Sequence, residues 1–174
     1  MTEHEIRSHI TPYCPSVQKA LRDILGEPPY QPSRDGFDSI RDWVAYSIEY
    51  MCDHERWGED YWQTPAETLL YLTGDCEDFA ILLCSLLRAY GLTAEQVYVV
   101  IGVNGEDEPY GHAFLIESWY DAGEWRRIEP QTPAHIGPGP RRFHLIDAEL
   151  DEYEIIIAFN DLYYYSESYP WDEY

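Results

Sequence analysis

The chain has 174 residues, 33 of them acidic and 11 basic, for a formal net charge of −22. Binding to phosphate backbones needs clustered Lys and Arg, so this balance excludes nucleic acid as an expected partner. The length fits one domain over 1–174, able to bury a core without disulfide staples. The four cysteines show no framework spacing, and Cys76 and Cys84 on one helix would stand about 12 Å apart along its axis, beyond disulfide reach. A reducing compartment is the simpler expectation. The N-terminus is acidic and lacks an apolar leader core, and no stretch reaches membrane-spanning length, so the protein is expected to be cytoplasmic with no membrane partner. Lysine occurs once, at Lys19, and arginine ten times. An acidic, lysine-poor surface suits a high-salt cytoplasm, and arginine-favouring codons in an acidic protein would leave the same mark.

In chain order, His4, His9, Cys14, Cys52 and His54 match no zinc-ligand spacing. The apolar stripe Val17, Ala20, Leu21, Ile24, Leu25 predicts a helix over 16–25, ended by Gly26 and packed on the core. Pro28, Pro29 and Pro32 make the next segment a loop. A second amphipathic helix is predicted over 37–51, with Phe37, Ile40, Val44, Ile48 and Met51 on its buried side. Thr64-Pro65-Ala66-Glu67 is a helix start, with Thr64 as N-cap, Pro65 at the first position and Glu67 completing a capping box. The core is placed at about 37–161.

The stretch around which the chain is organised is Gly74-Asp75-Cys76-Glu77-Asp78-Phe79-Ala80. From Ala80 to Ala89 nearly every residue is apolar, which predicts a buried helix stopped by Gly91. Asp75 is a good N-cap and Asp78 sits three residues on, which puts Cys76 at the first helical position. There the helix dipole and free backbone N–H groups favour thiolate, the nucleophilic form. The flanking Asp75, Glu77 and Asp78 oppose ionisation, so a histidine from elsewhere is needed to compensate. Cys84, mid-helix among leucines, reads as a small buried hydrophobe.

Val97 to Val103 is a β-branched run expected as a central strand. After the turn Asn104-Gly105-Glu106-Asp107, His112 opens a second strand and shares a face with Phe114, Ile116 and Ser118. A turn at Asp121-Ala122-Gly123 then leads to a third run ending in Glu129-Pro130, and a hairpin would bring the Glu129 carboxylate beside the His112 imidazole. His135, the rival histidine, lies in a Pro/Gly-rich loop with no strand to hold it. Phe143–Ile146 and Tyr153–Phe159 complete the sheet. An acidic aromatic tail over 162–174 folds back on the body or marks a partner surface. Helices first and antiparallel strands after make the fold class α+β, with the cysteine helix packed on the sheet.

Taken together, Gly74 to Ala80, Gly111-His112-Ala113-Phe114 and Trp125 through Glu129-Pro130 resemble the transglutaminase-like superfamily, a circularly permuted relative of papain-type proteases. The bacterial and archaeal cysteine-proteinase branch typically has a tryptophan and a Pro-Glu-Thr-Leu-like stretch upstream, matched here by Trp62 to Leu69. Phe159-Asn160-Asp161 gives a weaker echo, and Glu129 stands where many members carry aspartate. The resemblance implies a papain/transglutaminase-like core and a catalytic triad of Cys76, His112 and Glu129. It also implies an oxyanion donor upstream of the cysteine, Gln63 or Trp62, beside the backbone N–H of Cys76. The alternative is Trp62 packed in the core and Gln63 solvated.

The expected activity is a cysteine hydrolase, a peptidase or amidase cleaving an amide or isopeptide bond of a protein or peptide through a thioester. A transglutaminase, with an amine replacing water, and a non-catalytic binding module of the same fold are the alternatives. No cofactor is required by this chemistry. Some members of the branch bind calcium through the acids of the motif, here Asp75, Glu77 and Asp78, although helix capping and solvation already account for Asp75 and Asp78.

Overall fold

The computed structural model describes residues 1–104, 110–120, 124–131 and 153–166. The turns expected at 104–107 and 121–123, the loop with His135, the 143–146 strand and most of the aromatic tail lie wholly or partly outside those residues.

Helices come first: α1 (Glu3–Ser8), α2 (Pro15–Leu25), α3 (Arg34–Ser47), α4 (Asp53–Arg56), α5 (Pro65–Tyr71) and α6 (Cys76–Tyr90). Two short strands, β1 (Glu49–Tyr50) and β2 (Thr73–Gly74), pair in parallel within this half. The rest is a five-stranded antiparallel sheet of β3 (Val97–Asn104), β4 (Tyr110–Glu117), β5 (Arg126–Ile128), β6 (Glu154–Phe159) and β7 (Tyr164–Tyr165), in the order β5-β4-β3-β6-β7.

Helix α6 is the centre. Phe79 to Leu83 and Leu86 to Leu87 are essentially fully buried. One side of α6 lies on the sheet face made by Val97, Val99, Ala113, Leu115, Ile128 and Phe159, and α2, α3 and α5 pack around the rest. Gly91 ends the helix at φ +122°, a conformation open to glycine. Because side chains alternate along a strand, Tyr98, Val100, Phe114, Ile116 and Ala158 face the other way. There Trp125, Tyr153, Tyr163 and Tyr165 cover them.

The expected α+β arrangement, with the cysteine helix on an antiparallel sheet, is the one found. The boundaries of the second amphipathic helix are corrected. It starts at Arg34, where Ser33 Oγ caps the Gly36 N–H at 3.1 Å, and stops at Ser47. Beyond it the backbone turns extended to pair with β2, with Glu49 N–H on Leu72 O and Met51 N–H on Gly74 O, both 2.9 Å. Helix α1, capped by Thr2 and Glu5, was not anticipated.

Two buried polar knots brace the sheet. Glu117 accepts from Arg126 and from the N–H groups of Trp119 and Tyr120, and the Arg126 guanidinium lies 3.8 Å from the Tyr120 ring centre. At the far end of β6, the Asn160 side-chain amide donates to Ala94 O (2.6 Å) and Val97 O (2.9 Å), and its carbonyl accepts from Leu162 and Tyr163 N–H. Asp161 beside it forms a two-point ion pair with Arg88 of α6.

Candidate active site

Strand β2 delivers Asp75 to the α6 N-cap, where its N–H donates to Asp78 Oδ2 at 3.3 Å, and Cys76 takes the first helical position as expected. A Cβ at Gly74 would fall 2.6 Å from Asp78 Cβ, so glycine lets the strand approach the helix this closely. Cys76 is half-buried. Its thiol lies 3.2 Å from Glu77 Oε2 as donor. Burial first, then the Glu77 charge and hydrogen bond, push the thiol well above its ordinary value, and Asp75 adds to this. Burial and the carboxylates together oppose the helix dipole, so the thiol needs help to ionise.

His112 and Glu129 meet as expected. Glu129 follows the last residue of β5, and the Leu115↔Ile128 pairing places it next to Phe114, on the face that also carries His112. The contact is His112 Nε2 to Glu129 Oε2 at 2.8 Å, which leaves Nδ1 as the nitrogen available to a second partner. Arg41 of α3 donates through Nε to Glu129 O at 3.2 Å, and Arg127 approaches Oε2 at 3.5 Å. Glu129 is thereby met at its main-chain carbonyl by Arg41 and at Oε2 by His112 and Arg127, while Oε1 keeps no hydrogen-bond partner.

A cavity of about 360 Å³ brings the two halves together, with Tyr50, Asp60, Trp62, Asp75, Cys76, Glu77, Ile101, Gly111, His112 and Ala113 on its walls. Cys76 and His112 share this cavity without a hydrogen bond between them, since the thiol is turned to Glu77 and the ring to Glu129 and toward Phe114 and Tyr153.

The upstream pair divides. Gln63 is fully buried, not solvated. Its Nε2 donates to Asp78 Oδ2 and to Thr73 O, and its N–H to Asp78 Oδ1 at 2.7 Å, so its donors are spent on holding the helix start. Trp62 stacks on Phe159 and meets His9 edge-on, yet it also lines the cavity.

The acidic set also differs from the triplet read in sequence. Asp53, Asp75 and Glu77 converge, each offering an oxygen within 4.8 Å of the others, whereas Asp78 is engaged by Gln63. Asp53 comes from the start of α4 and carried no sequence signal, because its partners lie more than twenty residues away. Burial raises all three carboxyls; the hydrogen bond and charge of Glu77 raise Asp75 further, whereas the hydrogen bond with Asp75 works to lower Glu77. Burial likewise takes Asp78 up to about 7. Asp75 Oδ1 is buried with no hydrogen-bond partner. Three hard oxygens with one left unsatisfied fit a calcium-type cation better than a structural ion pair. Tyr50, also unforeseen, lines the cavity, and its hydroxyl is pushed up to about 12 by burial first, then by Cys76 and Asp75.

A nucleophile helix laid on an antiparallel sheet that carries a histidine–carboxylate pair is the papain/transglutaminase architecture. The chain belongs to the transglutaminase-like superfamily, whose family model matches residues 22–130. Among solved structures, LapG of Legionella pneumophila in its EGTA-treated form superposes with a TM-score of 0.63 at 17% identity, over 97% of this chain and 87% of LapG. Its calcium-bound form gives 0.62 at 17% identity, over 96% and 88%. A candidate cysteine protease of Cytophaga hutchinsonii gives 0.54 at 19% identity, over 91% of this chain and 47% of that protein. No curated protein matches significantly. Among the described residues no helix is long and apolar enough to cross a membrane.

Proposed function

We propose that this protein is a cysteine hydrolase that cleaves an amide or isopeptide bond in a protein or peptide. The observation that carries this reading is the shared cavity: a cysteine at the first position of α6 on one wall and His112, hydrogen-bonded to Glu129 behind it, on another. In the reaction His112 Nδ1 takes the Cys76 proton while Glu129 steadies the imidazolium through Nε2. The thiolate adds to the carbonyl, the leaving amine takes a proton from His112, and water then hydrolyses the thioester. Before attack the Cys76 S–H must exchange Glu77 for His112, a rearrangement inside one cavity. Catalytic contacts often tighten only when substrate binds. The Cys76 N–H would supply one oxyanion donor and the indole N–H of Trp62, which lines the cavity, another, Gln63 being occupied.

Asp53, Asp75 and Glu77 would hold calcium, a reading supported by their geometry and by the solution of LapG in calcium-bound and EGTA-treated forms. When bound, the ion supplies positive charge beside the thiol that offsets the three carboxylates.

Iodoacetamide labelling tests the proposal. With calcium present, Cys76 is expected to react at neutral pH, and His112→Ala to slow the reaction at least about 10-fold. An unreactive Cys76, or labelling indifferent to His112→Ala, would overturn it. Product analysis on a glutaminyl peptide with added amine separates hydrolysis from acyl transfer to an amine.

A further inference from the structure

An oxyanion forms in a cavity only if donors face it, and three of the ten residues walling this one carry carboxyl groups that repel it when ionised. Its acidic side chains, Asp60, Asp75 and Glu77, are acceptors when ionised, and His112 is committed to proton transfer. Among the described residues lining it, the remaining side chains able to donate are Trp62 and Tyr50. Tyr50 is carried there by a built feature of the fold. Strand β1 pairs in parallel with β2 in the register Glu49↔Thr73 and Tyr50↔Gly74, so Tyr50 is fixed opposite the residue two before Cys76. Half of Tyr50 is exposed, and its hydroxyl makes no hydrogen bond among the described residues. A phenol is protonated at neutral pH in any case, which makes it a standing donor.

We infer that Tyr50 is a catalytic residue whose hydroxyl donates a hydrogen bond to the oxyanion formed when Cys76 attacks a substrate carbonyl. This rests on the cysteine-hydrolase reading and adds a donor from β1 to those of Cys76 and Trp62. As the Sγ–C bond forms, the carbonyl π pair moves onto oxygen, and Tyr50 stabilises that charge without giving up its proton. Collapse restores the carbonyl and expels the leaving group. Water then adds to the thioester through a second oxyanion at the same place, releasing the acid and returning a proton to sulfur by way of His112.

The test compares two reactions of the same thiol in the calcium-loaded protein. Iodoacetamide alkylation is a displacement at a saturated carbon and forms no oxyanion, whereas hydrolysis of 4-nitrophenyl acetate forms one. Tyr50→Phe is expected to lower kcat/KM for the ester by roughly 10²-fold and to leave the alkylation rate and Tm within about twofold and a degree or two of wild type. Ester hydrolysis unchanged in Tyr50→Phe overturns the inference, even if Tyr50→Ala is slow, because the ring alone would then be acting. Equal slowing of both reactions also overturns it, by placing the hydroxyl's effect on the thiol. A wild-type Cys76 inert to iodoacetamide would sink the hydrolase reading itself, and this inference with it.

Discussion

Cys76 sits at a helix N-terminus that ought to favour thiolate, and its neighbours decide otherwise. A helix dipole is worth up to about 2 kcal/mol in partly buried geometry, whereas burial and the adjoining Glu77 and Asp75 all act against the charge. The same balance governs stability. Asp75 and Asp78 have folded pKa values raised above the ordinary carboxylate value of roughly 4, with Asp78 at about 7. Between those limits the folded chain holds protons that the unfolded chain has released, so unfolding releases protons. In chelator, melting temperature should therefore fall as pH rises from about 4 through about 7. Added calcium should raise it at neutral pH, and Asp53→Asn should remove most of that gain. A Tm indifferent to calcium at pH 7, or rising with pH in chelator, would rule out the three-carboxylate site.

At the scale of elements, the His112–Glu129 contact follows from one antiparallel register, and the Cys76 position from one cap. The cap was legible because Asp75 and Asp78 lie three residues apart, within reach of local rules. The α1 cap, Thr2 to Glu5, has the same signature but opens a helix of only six residues, of which Ile6 alone is buried, too short for an apolar stripe to mark it. Asn160 shows what local patterning misses. Its side chain ties the β6 end to Ala94 and Val97 more than sixty residues away. Replacing it with alanine strands two buried carbonyls and two partly buried N–H groups. This should cost about 3 kcal/mol, or roughly 10 °C in Tm for a chain of this length. A thermal melt of Asn160→Ala within two degrees of wild type would show that water replaces the amide.

Across the whole molecule the net charge of −22 sets a background of self-repulsion that salt screens over about 10 Å at 0.1 M and about 3 Å at 1 M. The buried Arg126–Glu117 pair and the partly buried Arg88–Asp161 pair are less exposed to screening than the acidic surface. Stability is therefore expected to rise between low and molar KCl, and equal melting in both would remove the salt-adapted reading of the composition. The sequence by itself determined the order of helices and strands, the cap before Cys76, the strand of His112 and the strand that ends just before Glu129. These depend on period-2 and period-3.6 patterning and on caps whose partners are three or four residues apart. Only the tertiary structure decided that Asp53 rather than Asp78 completes the acidic triplet, that Gln63 is spent inside while Trp62 reaches the cavity, and that Tyr50 lines that cavity together with Cys76. Each of these turns on which distant segment claims a donor or acceptor first, and that competition is settled by packing, which no spacing along the chain records.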